Sequence, residues 1–366
     1  MRAVVVHDYE RGARLEDVDV DEPRAGEVLV RVAASGVCAS DAHLLAGHSS
    51  VATLPMVLGH EGAGVVEAVG PGVDGVSPGD HVVLALYGPC GECAHCRAGE
   101  LVLCDGPART QAIFGRMADG STRLHQGDVA VHPMVGIGSL AEQVVLRAAQ
   151  VVRIDPDIAL DVACLAGCGV TTGVGAVFNT ARVPPGASVA VIGCGGVGLN
   201  VVQAARLAGA SPIVAIDNNP MKLDLASDFG ATHVVNSGDG DMAELVAACV
   251  PGGVDFAFEV VGDPDLIAAT FALTRAGGTC VVVGIPPPGS TIPVDAGKLF
   301  WERRLLGTTG GSNIPGRDIP RIMRLYRAGR LELDRLVSQR LPLEKFEAAF
   351  DALARSDVAR SVVTCA

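Results

Sequence analysis

From residue 188 onward the chain alternates short apolar runs with longer segments of helical character, and this alternation restricts the fold more than any other feature. The runs at 188–193, 213–217, 233–236, 255–261, 279–285 and 304–308 are mostly apolar and read as strands, with helical patterns between most of them. Repeated strand–helix–strand units with right-handed crossovers give a parallel sheet covered on both faces, so an α/β doubly wound domain is expected. Before about residue 153 the rhythm differs. Apolar runs at 28–33, 64–69 and 81–86 are separated by Gly/Pro turns such as Ser77-Pro78-Gly79-Asp80, which predicts a compact β domain. Three consecutive prolines at 286–288 mark a loop. An amphipathic stretch at 319–328 and a return to the first domain at 346–364 complete the chain.

A length of 366 residues exceeds what one hydrophobic core usually serves, in keeping with two domains. The formal charge of −13 argues against a nucleic-acid partner, which would need a basic face. No apolar run approaches the roughly 18 residues that span a bilayer, and the N-terminal apolar run is too short for a signal-peptide core, so a cytoplasmic protein is expected. Eleven cysteines, an odd number and unevenly spread, do not read as a disulfide framework.

A glycine fingerprint, Gly193, Gly195, Gly196 and Gly198, follows the run at 188–193 and opens a helical pattern at 199–208. In a Rossmann domain Gly193 would make the tight turn, Gly195 would let backbone approach a pyrophosphate, and Gly198 would let helix pack on strand. The helix N-terminus would offer free N–H groups to the phosphate. The next strand ends at Asp217, whose carboxylate suits an adenosine ribose and repels a 2′-phosphate, which favours NAD over NADP; Lys222 is a further candidate ribose contact.

Cys90, Cys93, Cys96 and Cys104 form a lobe (88–105) whose spacing lets one loop wrap a tetrahedral ion. Zn²⁺ suits four sulfurs in a closed, structural shell, with an iron–sulfur cluster as the chemical rival. His95 lies within the loop as a solvated neighbour. A second, scattered set comprises Cys38, with Ser40, Asp41 and His43 close behind it, the His60–Glu61 pair in a glycine-rich turn, and Cys168 between Gly167 and Gly169. Two sulfurs and one imidazole would leave a fourth metal position open for water or substrate, the pattern of a catalytic zinc.

With these motifs in this order, the chain resembles the zinc-dependent alcohol dehydrogenases of the medium-chain dehydrogenase/reductase superfamily over essentially its whole length. The resemblance implies a GroES-like β-barrel catalytic domain at 1–169, a Rossmann domain at 170–309, a return to the catalytic domain at 310–366, and an active site in the cleft between domains. It implies an NAD-linked enzyme with one catalytic and one structural Zn²⁺, acting on a small-molecule alcohol or aldehyde, and a homodimer. Ser40 and His43 would relay a proton to solvent, His43 by way of the cofactor ribose. Asp41 would orient His60, and Glu61 would approach the metal during ligand exchange. Thr172, Val197, Val283 and Arg360 align with cofactor contacts, Arg360 at the pyrophosphate. Ala39 stands where many relatives carry a cation on the pyrophosphate. Leu86 and Leu140, with Ser40, would line the substrate pocket. They fall where liver-type relatives often have aromatics, so a bulky primary alcohol, aryl or terpenoid, is the first expectation. The segment 105–138 is similar to the long loop of thiol-dependent formaldehyde dehydrogenases, which makes oxidation of an S-hydroxymethyl thiol adduct the alternative. A zinc- and nucleotide-binding protein without turnover is a third reading, disfavoured by the complete ligand set.

Overall fold

The computed structural model describes residues 1–48, 52–356 and 358–365. The chain divides into two compact units, Met1–Cys168 with Ile314–Ala366, and Gly169–Asn313. Among the described residues no single helix is long and apolar enough to cross a membrane.

The first unit is built on two curled sheets. One runs in the order Val151–Arg153, His81–Leu84, Glu61–Val69, Glu27–Val37, Arg360–Thr364, Val337–Pro342, with Gln143–Arg147 also paired to Glu27–Val37. The other carries Arg2–Val6, Met56–Val57 and Val129–Pro133 among its six strands. Their facing side chains, including Val4, Val30, Val32, Leu58, Leu84, Leu140 and Leu146, form one core with no exposed surface. Glu27–Val37 alternates burial over its first half and is wholly buried over its last four residues, which lead straight into Cys38. Segment 105–138 is not an open loop. It contains the helix Pro107–Ile113 and the hairpin of Leu124–Gln126 with Val129–Pro133. It is tied down by Arg123, buried and bonded to Glu27 at 2.8 and 2.6 Å. The C-terminal return consists of the helix Phe346–Ala354 and the strand Arg360–Thr364, which pairs antiparallel to Glu27–Val37. Cys365, which follows that strand, is buried, and its amide continues the ladder to Ala33.

The second unit is the doubly wound domain. Its six parallel strands run in the order His233–Asn236, Ile213–Asp217, Val189–Ile192, Val254–Glu259, Thr274–Val282, Arg304–Gly307. Counted along the chain this is 3-2-1-4-5-6, with the switch point beside Val189–Ile192. All four residues of that central strand are buried, as expected for a strand covered on both faces. The strand Thr274–Val282 starts five residues before the run read from sequence. Ala276, Gly277 and Gly278 interrupted the apolar pattern, and the register shift between Val254 and Phe256 absorbs the irregularity.

Candidate metal centres and nucleotide turn

Cys38 is delivered by the end of Glu27–Val37 and caps the short helix Ala39–Leu45. His60 and Glu61 come from the turn into Glu61–Val69, and Cys168 from the end of a 3₁₀ segment, Cys164–Gly167. Close approach explains the glycines here. A Cβ on Gly36 would lie 2.3 Å from Glu61 Oε2, and one on Gly167 would lie 2.7 Å from the Leu84 carbonyl.

These turns bring one ligand atom from each of Cys38, His60, Glu61 and Cys168 within 4.8 Å of one another. Asp41, fully buried, accepts from the Cys38 amide at 2.9 Å, the Gly59 amide at 3.2 Å and His60 Nδ1 at 3.1 Å. With its proton on Nδ1, His60 turns its Nε2 lone pair toward the sulfurs, and that atom is buried without a hydrogen-bond partner. A buried imidazole nitrogen orphaned among two sulfurs and a carboxylate is what a metal ion would satisfy.

The electrostatics agree. The hydrogen bond from Cys168 pushes the Cys38 thiol well below its ordinary range, against burial and with help from Arg360 and His60. The same bond pushes Cys168 well up. Burial lowers His60, but Asp41 and the Cys168 sulfur more than offset it, so the imidazole is raised: its surroundings favour a positive charge at Nε2, which a proton supplies in the metal-free site and a metal ion would supply in its place. Burial pushes Glu61 up to about 7 despite Arg360. A thiolate, a carboxylate and an imidazole held in so small a space make a site for a cation.

In the lobe, the ligand atoms of Cys90, Cys93, Cys96 and Cys104 also lie within 4.8 Å of one another. The Cys90 and Cys96 sulfurs are 3.9 Å apart. Sulfurs at 2.3 Å from one tetrahedral ion are about 3.8 Å apart, which fits a single Zn²⁺ and not a larger cluster. The amides of Cys93 and Cys96 donate to the sulfurs of Cys90 and Cys93 at 3.4 Å, and that of Cys90 to Cys104 Sγ at 3.3 Å. Backbone amides draw the Cys90 thiol down to about 7, while burial pushes Cys96 up to about 12. His95 pairs with Glu100 at 2.9 Å and takes no part in the set.

The glycine fingerprint forms the turn into the helix Gly196–Leu207. Gly193 has φ +92°, open to glycine, and a Cβ on Gly198 would lie 1.8 Å from the Gly193 carbonyl. A Cβ on Gly195 would meet nothing, so the space above the helix N-terminus is open. Asp217 ends its strand with Oδ2 accepting from the Cys194 amide at 2.8 Å and Oδ1 from the Asn219 amide at 2.9 Å. The carboxylate therefore stands beside the fingerprint turn. Lys222 lies one turn into the helix Pro220–Phe229, partly exposed. Thr172 and Val197 are partly buried, and Val283 is buried with its amide on the Glu259 carbonyl at 2.8 Å.

Three expected roles meet a different setting. Arg360, aligned with a pyrophosphate contact, is buried in the metal set. Its Nε and Nη2 lie 3.3 Å from the Glu61 carboxylate, and Nη2 lies 3.5 Å from Cys38 Sγ. Its cation is thus spent on buried anions instead of facing solvent. Sequence could not show this pairing, since Arg360 and Glu61 are 299 positions apart. Leu140 has no exposed surface and packs in the core, its amide on the Leu58 carbonyl, so it does not line a pocket. Leu86 is only partly buried, and the aromatic next to it in the chain, Tyr87, is buried. On the helix Ala39–Leu45, Ser40 is partly buried, while Ala39 and His43 are exposed.

Comparison with known proteins accounts for this combination. Residues 24–156 match the family model described as an alcohol dehydrogenase GroES-like domain, and 196–328 the one described as a zinc-binding dehydrogenase. An S-(hydroxymethyl)glutathione dehydrogenase of Synechocystis is 37% identical over 99% of each chain. Among solved structures, an alcohol dehydrogenase zinc-binding domain protein of Burkholderia ambifaria is similar at TM-score 0.95 and 36% identity, covering 100% of this chain and 98% of its own. Benzyl alcohol dehydrogenase of Acinetobacter calcoaceticus follows at 0.93 and 33%, covering 100% and 99%. The chain belongs to the zinc-binding alcohol dehydrogenase family of the medium-chain dehydrogenase/reductases and is an enzyme of that family.

Proposed function

We propose that the protein oxidises the S-hydroxymethyl adduct of a small thiol to the corresponding S-formyl thioester, with NAD as acceptor. The observation that carries this reading is the full-length similarity to S-(hydroxymethyl)glutathione dehydrogenases. It displaces the first expectation, a bulky primary alcohol, which rested partly on Leu140 as a pocket residue. Aryl alcohol oxidation stays as the second reading because of the likeness to benzyl alcohol dehydrogenase. The reaction balances as adduct plus NAD⁺ giving S-formyl thiol, NADH and a proton.

Bound zinc would supply a Lewis acid for the substrate oxygen, and bound NAD the hydride acceptor. Cys38, His60 and Cys168 hold the metal, and Asp41 keeps the Nδ1 proton of His60 away from it. Arg360 balances the charge of Glu61 and Cys38. Ser40 takes the substrate hydroxyl proton, and His43, exposed on the same helix, releases it to solvent. Gly195 and Gly196 leave room for a pyrophosphate at the helix N-terminus, and Asp217 accepts from the ribose hydroxyls. Cys90, Cys93, Cys96 and Cys104 hold the structural zinc. We also infer a homodimer through the sheet edge Arg304–Gly307, beside which Phe300 and Trp301 are 80% and 65% exposed. Two thiolate metal sites suit a reducing, cytoplasmic compartment.

The test is formaldehyde with NAD, with and without glutathione or mycothiol, set beside benzyl alcohol, following NADH absorbance. Turnover of formaldehyde only with thiol is expected. Oxidation of benzyl alcohol with no thiol-dependent activity would overturn the reading in favour of the second.

A further inference from the structure

Arg109 and Arg147 approach the four-cysteine lobe from two different elements. Arg109 lies on the helix Pro107–Ile113, which starts immediately after Cys104 and packs so close that a Cβ on Gly106 would lie 2.7 Å from Cys90 Sγ. Arg147 ends the strand Gln143–Arg147 and donates from Nη2 to the Gly88 carbonyl at 2.8 Å, two residues before Cys90. Both are half-buried, and among the described residues neither forms an ion pair with a carboxylate. Arg109 rests on the Tyr87 ring, its guanidinium carbon 5.2 Å from the centroid. The Nε atoms of both arginines are buried without hydrogen-bond partners.

Two such cations side by side should repel, and the Arg147 guanidinium is pulled below its usual range by burial and by Arg109. The opposing influence comes from sulfur. Cys104 and Cys90 favour the charged form of Arg147, and Tyr87 and Cys104 that of Arg109. The lobe's own charged side chains, Glu92, Arg97, Glu100 and Asp105, are all exposed and solvated. Four thiolates around one Zn²⁺ carry a net charge of about −2, which two guanidinium groups cancel.

We propose that Arg109 and Arg147 are the counter-charges of the four-thiolate centre, positioning residues that retain its metal without touching it. This partly buried anion is otherwise met by backbone amides, and each arginine lowers the energy of the metal-loaded state relative to an emptied lobe whose thiols have taken up protons. The proposal rests on reading the lobe as a zinc site.

The experiment measures zinc release from the holoenzyme to a chromogenic chelator, with total zinc per chain counted first. Arg109→Gln, Arg147→Gln and the two Lys replacements are compared with the unmodified protein. Each Gln variant should lose the lobe zinc roughly tenfold faster, while the zinc at Cys38, His60 and Cys168 leaves at the original rate. The Lys variants, which keep the charge, should recover most of the retention. Release at the unmodified rate in both Gln variants would overturn the proposal. So would Lys variants as leaky as Gln, since that would mean packing and not charge. If a Gln variant does not fold, its Lys counterpart decides alone: retention near the unmodified rate supports the charge role, and fast release overturns it. Fewer than two zinc ions per unmodified chain would instead refute the zinc reading itself.

Discussion

Replacing Asp41 by Asn changes one atom in a fully buried carboxylate. Asp41 has no exposed surface and accepts from three donors, the Cys38 amide, the Gly59 amide and His60 Nδ1. An Asn whose oxygen replaces Oδ1 keeps Gly59 and His60 but points its NH₂ group at the Cys38 amide; the flipped amide keeps Cys38 and loses the other two. At best, one hydrogen bond to a buried charge is lost, worth about 1.5–3 kcal/mol. If that loss falls on the assembled ligand set, zinc binding there weakens by about 10–100-fold, the range seen when partners of metal-bound histidines are removed. Competition with a chelator of graded strength measures it, with the four-cysteine lobe as internal control. Over a window of chelator concentration Asp41→Asn should keep about one zinc where the unmodified protein keeps two. Equal retention of both ions would refute the reasoning. Parallel loss of both would show a general loss of stability instead of an effect on His60 and Cys38.

Four further outcomes are expected. Arg123→Met, which strands the buried Glu27 carboxylate, should cost about 3–5 kcal/mol in urea unfolding, and adding Glu27→Leu should recover most of it; a cost below about 1 would contradict the pairing. Asp255 is pushed up by burial, but the Ser188 amide and hydroxyl and Arg275 hold it below its ordinary value of 3.8, so its contribution is present above that pH and lost as pH falls through the lowered value. Asp255→Asn should therefore cost about 1 kcal/mol near neutrality, with the two unfolding curves converging in strong acid. Trp301→Asp should convert a dimer to a monomer in sedimentation, and an unchanged mass would remove Arg304–Gly307 as the interface. Ala39→Arg should lower both the NADH dissociation constant and kcat, whereas an unchanged dissociation constant would dispose of the argument that this position limits cofactor retention.

Sequence alone determined the features that depend on near neighbours. The inner strands Val189–Ile192 and Ile213–Asp217 were legible because a strand covered on both faces must be a continuous apolar run, the largely exposed edge strands His233–Asn236 and Arg304–Gly307 by their place in the alternation, and Gly193 and Gly198 because their turn admits no Cβ. The four-cysteine lobe was legible because its ligands lie within 15 consecutive positions, 90–104. Motif spacing also picked out Cys38, His60 and Cys168. Tertiary structure decided what those residues meet. The pairing of Arg360 with Glu61, the three bonds to Asp41, the burial of Leu140 and the two arginines beside the lobe all join residues from separate elements. The physical reason is range: φ/ψ preference and hydrophobic period act over a few residues, whereas the electrostatics of a buried charge depend on whichever side chains the closed sheets bring alongside it.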